Sequence, residues 1–205
     1  MTFEEVASDA SPFSTRKKWD ISEENGILIL AYMGSGKTEA AARFENVNDI
    51  DIALFLFEAK PEFVHLSFEE SKGQVHTRED NPEYPGNFLK AVEDSLSNGK
   101  LTMVPFTSIS YDLFTQGQGK KFKESGVPYI LAFPTENGFE EYAERFEKRG
   151  NPPVFIERNR VNYPILAETF MNDTVVDERI TLQPGQYLAD ALIENGFLLR
   201  PKSYN

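Results

Sequence analysis

Runs of consecutive apolar residues alternate along the chain with amphipathic stretches, and this pattern predicts the secondary structure. Uninterrupted apolar runs are typical of buried strands, whereas apolar residues three and four positions apart are typical of helices. We predict strands at residues 26–31, 47–52, 101–106, 127–133 and 179–182. We predict helices at residues 39–44, 87–96, 109–115, 139–149, 164–172 and 187–194. Pro164 sets the start of the fifth helix, because proline is favoured at the first helical position.

The order of these elements defines the fold class. Each of the five predicted strands is followed by a helix. Parallel strands need such crossover connections, and these run right-handed. We therefore expect an α/β protein whose five-stranded parallel sheet carries helices on both faces. A chain of 205 residues is most simply one domain with a substantial core.

The turn after the first strand carries the strongest chemical signal in the chain. Residues 31–38 have the sequence AYMGSGKT, between an aliphatic strand and a predicted helix. The P-loop pattern is a glycine, four residues, then Gly-Lys-Ser/Thr. Ala31 replaces the first glycine and the rest of the pattern is intact. This context favours a nucleotide-binding loop over a chance glycine-rich turn.

The residue types of this loop suit the binding of phosphate. Gly34 and Gly36 allow the backbone N–H groups around Ser35 to turn toward phosphate oxygens. The start of the following helix adds unpaired N–H groups and the positive end of its dipole. We expect Lys37 to reach the β- and γ-phosphates and the Thr38 hydroxyl to ligate Mg²⁺. The expected cofactors are ATP and Mg²⁺.

Composition narrows the choice of partners. The chain has 21 basic and 33 acidic residues, a net charge of −12, which disfavours a nucleic acid or an anionic membrane as the main partner. It has no cysteine, and therefore neither disulfides nor thiolate chemistry. No apolar run approaches the roughly 20 residues of a membrane span. The N-terminus lacks a signal-peptide pattern, so we expect a cytoplasmic protein.

A pair of carboxylates ends the second predicted strand. In an extended strand Asp49 and Asp51 point the same way, at the sheet edge where ligands bind in α/β proteins. Like charges on one face repel unless a cation or a donor lies between them. Mg²⁺, for which Asp49 is a candidate ligand, or an acceptor hydroxyl would meet this need. The alternative is a pair of exposed loop residues.

The connection from residue 53 to residue 86 shows no regular pattern and is rich in phenylalanine. Long connections in compact domains are often lids or binding loops. Its aromatic side chains either stack on an acceptor base or simply pack against the core. His65 and His76 have no companion ligands in the sequence, which argues against a metal site.

Four arginines lie within sixteen residues after the fourth strand: Arg145, Arg149, Arg158 and Arg160. Each alone could be a solvated cation favoured by a helix C-terminus. Because all four lie close in sequence on either side of residues 150–153, we predict that together they clamp a phosphate group. The glycine and two prolines of that break suggest a hinge.

The chain resembles the small nucleotide kinases of phages and prophages of Gram-positive bacteria, a branch of the P-loop proteins. The similarity spans about residues 25–195. It rests on the P-loop, on residues 49–51 and 81–85, on residues 127–151 with the run EEYAERFEKRGN, and on residues 182–192. The run of twelve residues is distinctive, whereas the P-loop is general.

This resemblance implies a sheet in 2-3-1-4-5 order and phosphoryl transfer from ATP to a nucleoside monophosphate or a similar small acceptor. It implies that Asp51 lies near the acceptor or Mg²⁺, and that Arg145 and Arg149 lie near the transferred phosphate. Arg158 is a further candidate for nucleotide binding. The Asp-Gly-Phe-Pro-Arg run of adenylate kinases is absent, which leaves the acceptor unassigned.

The expected organisation is an N-terminal arm (1–24), a kinase-like domain (25–197) and a tail (198–205). Within the domain we expect an acceptor-binding insertion at about 52–86 and a lid at about 149–163. The sequence is compatible with a homodimer and does not decide the oligomeric state.

Two competing functions remain: an NTP-hydrolysing switch or motor, and a non-catalytic nucleotide-binding module. The strands at 101–106 and 127–133 lack the terminal acidic residues of motor ATPases, and the chain has no guanine-recognition motif. Both absences count against the first alternative.

Overall fold

A computed structural model describes residues 26–67, 70–71 and 74–203. The predicted N-terminal arm lies outside the described residues. Five strands form one parallel sheet: β1 (Ile27–Ala31), β2 (Val47–Asp49), β5 (Leu101–Pro105), β6 (Tyr129–Pro134) and β7 (Glu178–Leu182). Their order is β2-β5-β1-β6-β7, which is 2-3-1-4-5 when these five strands are counted alone. The predicted fold class and sheet order are confirmed.

Helices cover both faces of the sheet and form the outer layers of a three-layer sandwich. They are α1 (Lys37–Arg43), α2 (Ala53–Leu56), α3 (Gly86–Ser97), α4 (Ser108–Thr115), α5 (Lys120–Glu124), α6 (Phe139–Lys148), α7 (Pro153–Asn172) and α8 (Leu188–Glu194). Two short strands, β3 (Phe57–Ala59) and β4 (Arg78–Asp80), pair antiparallel as a separate hairpin. In the described part of the chain, no helix is both long enough and apolar enough to span a bilayer.

Successive side chains of the central strand β1 point to opposite faces of the sheet, so the core has two parts. Leu28 and Leu30 of β1 face a large aromatic cluster beneath α3, α4, α6 and α7, whereas Ile27 and Ile29 face a smaller aliphatic cluster beneath α1 and α8. Phe133 lies in the aromatic cluster. Its ring centroid is 5.0 Å from that of Tyr32 and is close to three further rings, those of Phe106, Tyr163 and Phe170. The strand before the P-loop is therefore buried on both faces.

Two predicted boundaries are wrong. The helix expected to begin at Pro164 begins at Pro153 and passes through Pro164 without a break. An internal proline removes one helical hydrogen bond. Tyr163 and Leu166, on either side of it, are buried in the core, and this packing holds the helix together. Strand β2 ends at Asp49, so Asp51 lies in the loop that follows rather than in the strand.

The connection at 53–86 is better organised than its sequence suggests. It contains α2, the β3–β4 hairpin and two single turns of 3₁₀ helix at Pro61–Phe63 and Val75–Thr77. Ala59 pairs with Arg78 in the hairpin, which places Arg78 at the start of β4.

The residues after α8 pack against the body of the protein. Leu199 is buried, and the backbone N–H groups of Glu45 and Lys202 donate to the carbonyls of Arg200 and Arg43 at 2.8 and 2.9 Å. The Asn46 side chain donates to the Leu198 carbonyl at 2.7 Å. Residues 198–202 thus lie along the segment that joins α1 to β2.

Candidate active site

The P-loop runs from the end of β1 to the start of α1 and requires glycine at two positions. Gly34 and Gly36 have φ angles of +80° and +94°, a region that side chains other than glycine rarely adopt. A Cβ atom on Gly36 would also lie 2.8 Å from Cδ1 of Tyr187. The loop therefore has the backbone conformation that its sequence predicts.

Lys37 is buried at the first position of α1. Its Nζ donates to the carbonyls of Ala31 and Tyr32 at 3.3 and 3.4 Å, which are long hydrogen bonds. Burial lowers the pKa of Lys37, while the charges of Asp49 and Asp51 raise it and that of Arg149 lowers it. A buried ammonium held by long bonds is well suited to exchange them for phosphate oxygens.

Ser35, at the centre of the loop, is fully buried, and its hydroxyl has no hydrogen-bond partner among the described residues. An unpaired buried hydroxyl is costly in a folded protein. A phosphate oxygen at the loop would accept a hydrogen bond from it.

Thr38 and Asp49 form the best candidate metal site. The Thr38 hydroxyl donates to Oδ2 of Asp49 at 2.7 Å, and Oδ1 of Asp49 is buried without a partner in the part of the chain that the structure describes. Hydroxyl and carboxylate oxygens are the ligands that Mg²⁺ prefers, and Mg²⁺ takes its remaining ligands from water and substrate phosphates. No cluster of three or more His, Cys, Asp or Glu residues suited to a metal occurs in the described ranges. The two side chains fit a magnesium ion shared with a nucleotide.

Asp51 is exposed and follows β2 in the loop. One of its carboxylate oxygens accepts a hydrogen bond from the N–H of Ala53 at 3.0 Å, at the start of α2. Asp51 and Asp49 line the same cavity, although they no longer share the strand geometry that the sequence suggested.

A cavity of about 430 Å³ connects these groups. The P-loop contributes Gly34, Lys37 and Thr38 to its wall. The segment between α6 and the first turn of α7 contributes Arg149, Asn151, Pro152 and Phe155, and β4 contributes Arg78. The cavity thus brings three basic side chains together with the carboxylates of Asp49 and Asp51.

The four arginines after β6 do not converge on this cavity. Arg149 lines it, whereas Arg158 and Arg160 do not. The Arg158 guanidinium lies 5.6 Å from the centroid of the Phe155 ring. Arg160 pairs with Glu140 and Glu157 on the protein surface, and its hydrogen bond lowers the pKa of Glu140.

Arg145 lies behind the P-loop rather than in front of it. Its side chain is only 11% exposed and is absent from the cavity wall. Its NH1 group donates to the Gly34 carbonyl at 3.0 Å, and its NH2 group contacts Glu141 and the Gln186 carbonyl. The predicted contact between Arg145 and the transferred phosphate has no support in this arrangement.

Arg78 is a cavity residue that sequence reasoning did not select. It donates from NH2 and Nε to the Ser71 hydroxyl at 2.8 and 3.2 Å, and these bonds fix its guanidinium at the hairpin. No local motif surrounds it, and its position depends on the pairing of β3 with β4. The sequence indicated this region only through the expected acceptor-binding insertion at about 52–86, which contains Arg78 but did not single it out.

The sheet order and the P-loop together define a P-loop kinase-like fold, and a P-loop implies nucleotide binding. The tunicamycin resistance protein of Deinococcus radiodurans is 16% identical to this chain, with a TM-score of 0.49, over 87% of this chain and 99% of its own. A chain from the PezAT chromosomal toxin–antitoxin system of Streptococcus pneumoniae is 20% identical, with a TM-score of 0.44, over 88% of this chain and 81% of its own. No family model and no curated protein matches the chain. Similarity at this level assigns no activity.

Proposed function

We propose that the protein transfers the γ-phosphoryl group of ATP to a small acceptor, and that this acceptor is a ribo- or deoxyribonucleoside monophosphate. One observation carries the proposal. The P-loop, the Thr38–Asp49 pair, Arg149 and Arg78 surround a single cavity of about 430 Å³. This volume lies within the usual range for small-molecule sites.

The donor side of the cavity is the P-loop. Lys37 and the loop N–H groups would neutralise the β- and γ-phosphates, and Thr38 and Asp49 would hold Mg²⁺. When bound, the ion would supply positive charge to offset the charge that develops on the phosphates. Catalysis of this kind depends mainly on positioning and on charge neutralisation.

The acceptor side is formed by the loop after β2 and by the hairpin. The planar fork of Arg78 suits the phosphate of a nucleoside monophosphate, and a lysine could not reproduce its geometry. Phe155 offers an aromatic ring to an apolar or planar part of the acceptor. Asp51 lines the same cavity, where it would orient the acceptor or lie near Mg²⁺.

The segment at 149–155 forms part of the cavity wall through Arg149, Asn151, Pro152 and Phe155. In a kinase such a segment suppresses the transfer of the phosphoryl group to water. Gly150, at φ +74°, lies in the turn of residues 149–150 that joins this segment to α6. Because Asn159 and Tyr163 are buried, we propose that the lid is shorter than the expected 149–163 and consists of residues 149–155, with Arg149 nearest the transferred phosphate.

The experiment that tests this function is an acceptor screen. The purified protein is incubated with ATP and Mg²⁺ and with each ribo- and deoxyribonucleoside monophosphate, and nucleoside diphosphates are separated by chromatography. We expect at least one acceptor to be phosphorylated much faster than ATP is hydrolysed without an acceptor.

Lys37→Ala is the control, because it removes the charge-assisted bond to phosphate and should abolish transfer. Hydrolysis of ATP that no acceptor stimulates would favour a switch or motor. Tight nucleotide binding without any turnover would favour a binding module. Either outcome would overturn the proposal.

A further inference from the structure

Arg145 joins three elements that the chain places far apart in sequence. It projects from α6 and donates hydrogen bonds to the Gly34 carbonyl in the P-loop and to the Gln186 carbonyl in the turn before α8, at 3.0 and 3.3 Å. The same guanidinium contacts Glu141, whose other carboxylate oxygen accepts the N–H of Gly185 at 2.9 Å. The outer side of the P-loop is thereby tied to residues 185–186.

Two aromatic rings enclose this guanidinium. Its central carbon lies 4.6 Å from the ring centroid of Tyr142 and 4.3 Å from that of Tyr187. Rings at these distances attract the cation and fix the plane of the guanidinium. With two rings against the guanidinium and its N–H groups donating to protein acceptors, the Arg145 side chain is held in place.

The carbonyl groups of the loop determine where its N–H groups point. In a trans peptide unit the C=O of one residue and the N–H of the next point in opposite directions. Arg145 holds the Gly34 carbonyl, and the Leu188 N–H holds the Ser35 carbonyl at 2.8 Å. The Gly36 N–H therefore points away from the turn before α8, while the Ser35 N–H points away from Arg145 and donates to the Tyr32 carbonyl at 3.3 Å within the loop. P-loops bind phosphate through such N–H groups.

We infer that Arg145 is a positioning residue that fixes the P-loop in its phosphate-binding conformation by holding the Gly34 carbonyl. This inference rests on the proposed function only in taking the P-loop as the site of the donor phosphates. It differs from a contact with the transferred phosphate, which would act on the transition state alone. A positioning residue affects the binding of every phosphate-bearing nucleotide, including the product ADP.

The test compares Arg145→Met and Arg145→Lys with the wild-type protein by calorimetric titration with ADP and Mg²⁺. A hydrogen bond from a charged group is worth enough for Arg145→Met to raise the Kd by roughly tenfold or more. Arg145→Lys keeps the charge but cannot serve two carbonyls in one plane, so we expect an intermediate Kd. In the transfer assay, kcat should fall together with ADP affinity.

Arg43→Met is the matched control. Arg43 also pairs with a glutamate four residues away, at 3.3 Å, and also lies over an aromatic ring, that of Phe44, at 5.2 Å. It has no hydrogen bond to the P-loop among those described. Its replacement should leave the ADP affinity within twofold of wild type, roughly the scale of a surface ion pair.

Amide hydrogen exchange of the free protein supplies a readout that needs no nucleotide. Residues 34–36 should exchange faster in Arg145→Met and Arg145→Lys than in wild type, while the strands of the sheet keep their protection. This measurement separates the inference from the proposed function, because it remains informative if no acceptor is found or if ADP does not bind.

Several outcomes would overturn the inference. One is unchanged exchange of residues 34–36 in both variants. Another is an unchanged ADP affinity accompanied by a lower kcat, which would indicate that Arg145 contacts the transferred phosphate. A loss of thermal stability with normal ADP affinity in the folded fraction would show that Arg145 serves the fold alone.

Discussion

Asp49→Asn tests the assignment of the magnesium site. In the wild-type protein Oδ2 of Asp49 accepts the Thr38 hydroxyl at 2.7 Å, while Oδ1 is buried without a partner in the described ranges. The asparagine keeps the shape of the side chain and one acceptor oxygen but loses the negative charge. We expect the fold to survive, because one carbonyl oxygen suffices to accept the Thr38 hydroxyl.

The expected loss of ATP affinity follows from the negative charge that Asp49→Asn removes. A hydrogen bond or ligand contact that involves a charged group is worth about 2 kcal/mol, near the middle of its usual range. This corresponds to about a 30-fold change in affinity. The loss should appear only when Mg²⁺ is present, because free ATP does not need the carboxylate and is repelled by it.

The assay is the Kd of ATP measured in excess Mg²⁺ and again in excess chelator. The ratio of the two values reports the contribution of the metal ion. In wild type we expect ATP to bind more tightly with Mg²⁺, and in Asp49→Asn we expect most of this advantage to disappear. Asp51→Asn is the control, since Asp51 is exposed and is assigned to the acceptor side. It should reduce transfer strongly while leaving ATP affinity nearly unchanged.

Two results would refute this reasoning. If Asp49→Asn keeps the wild-type ratio, Asp49 only accepts the Thr38 hydroxyl and does not contribute to metal binding. If Asp51→Asn shows the larger loss of the ratio, the two carboxylates have the opposite roles.

Three further predictions concern other parts of the protein. Burial lowers the pKa of Lys37, and phosphate oxygens should raise it again. ATP binding should therefore take up protons in alkaline buffer and weaken as the pH rises. Calorimetry in buffers of different ionisation enthalpy should detect this proton uptake in the wild type and none in Lys37→Met. Arg149→Lys should lower kcat more than it weakens ATP binding, because the arginine fork serves the transition state; equal kcat in variant and wild type would remove Arg149 from the site. Phe133→Ala should lower the free energy of unfolding in urea by about 3–5 kcal/mol, because it empties the centre of the aromatic cluster, and a loss below about 1 kcal/mol would contradict that packing.

The sheet and the P-loop could be predicted because their signals are local. A strand buried on both faces is a continuous apolar run, and β1 and β6 show it directly. The P-loop requires Gly34 and Gly36 at a fixed spacing from Lys37, and this spacing is visible in the sequence itself. The helices between the strands predicted a parallel sheet, and the order of its strands was implied by the family resemblance alone.

The positions of the arginines could not be predicted, because they depend on contacts between distant segments. Arg145 and Arg149 lie four residues apart on neighbouring turns, yet one packs behind the P-loop and the other lines the cavity. Arg78 reaches the same cavity only through the pairing of β3 with β4. Helical periodicity predicts which residues share a face of a helix, but it does not predict which segment of the protein packs against that face.

Pro164 shows the same limit for a helix boundary. Proline favours the first turn of a helix, and we therefore expected the helix to start at Pro164, whereas it starts at Pro153. The burial of Tyr163 and Leu166 against the sheet outweighs the hydrogen bond that Pro164 removes. This burial exists only in the folded protein.

The central claim is that one cavity holds the donor phosphates and the acceptor together, and the most direct test is the affinity of a bisubstrate analogue. In this molecule the γ-phosphate of ATP is covalently joined to the phosphate of the best nucleoside monophosphate acceptor. Because linked ligands bind with a high effective concentration, we predict that it binds about 10²-fold or more tightly than ATP. Lys37→Ala and Arg78→Ala should each weaken it. An analogue that binds no more tightly than ATP, and that is insensitive to Arg78→Ala, would contradict the account.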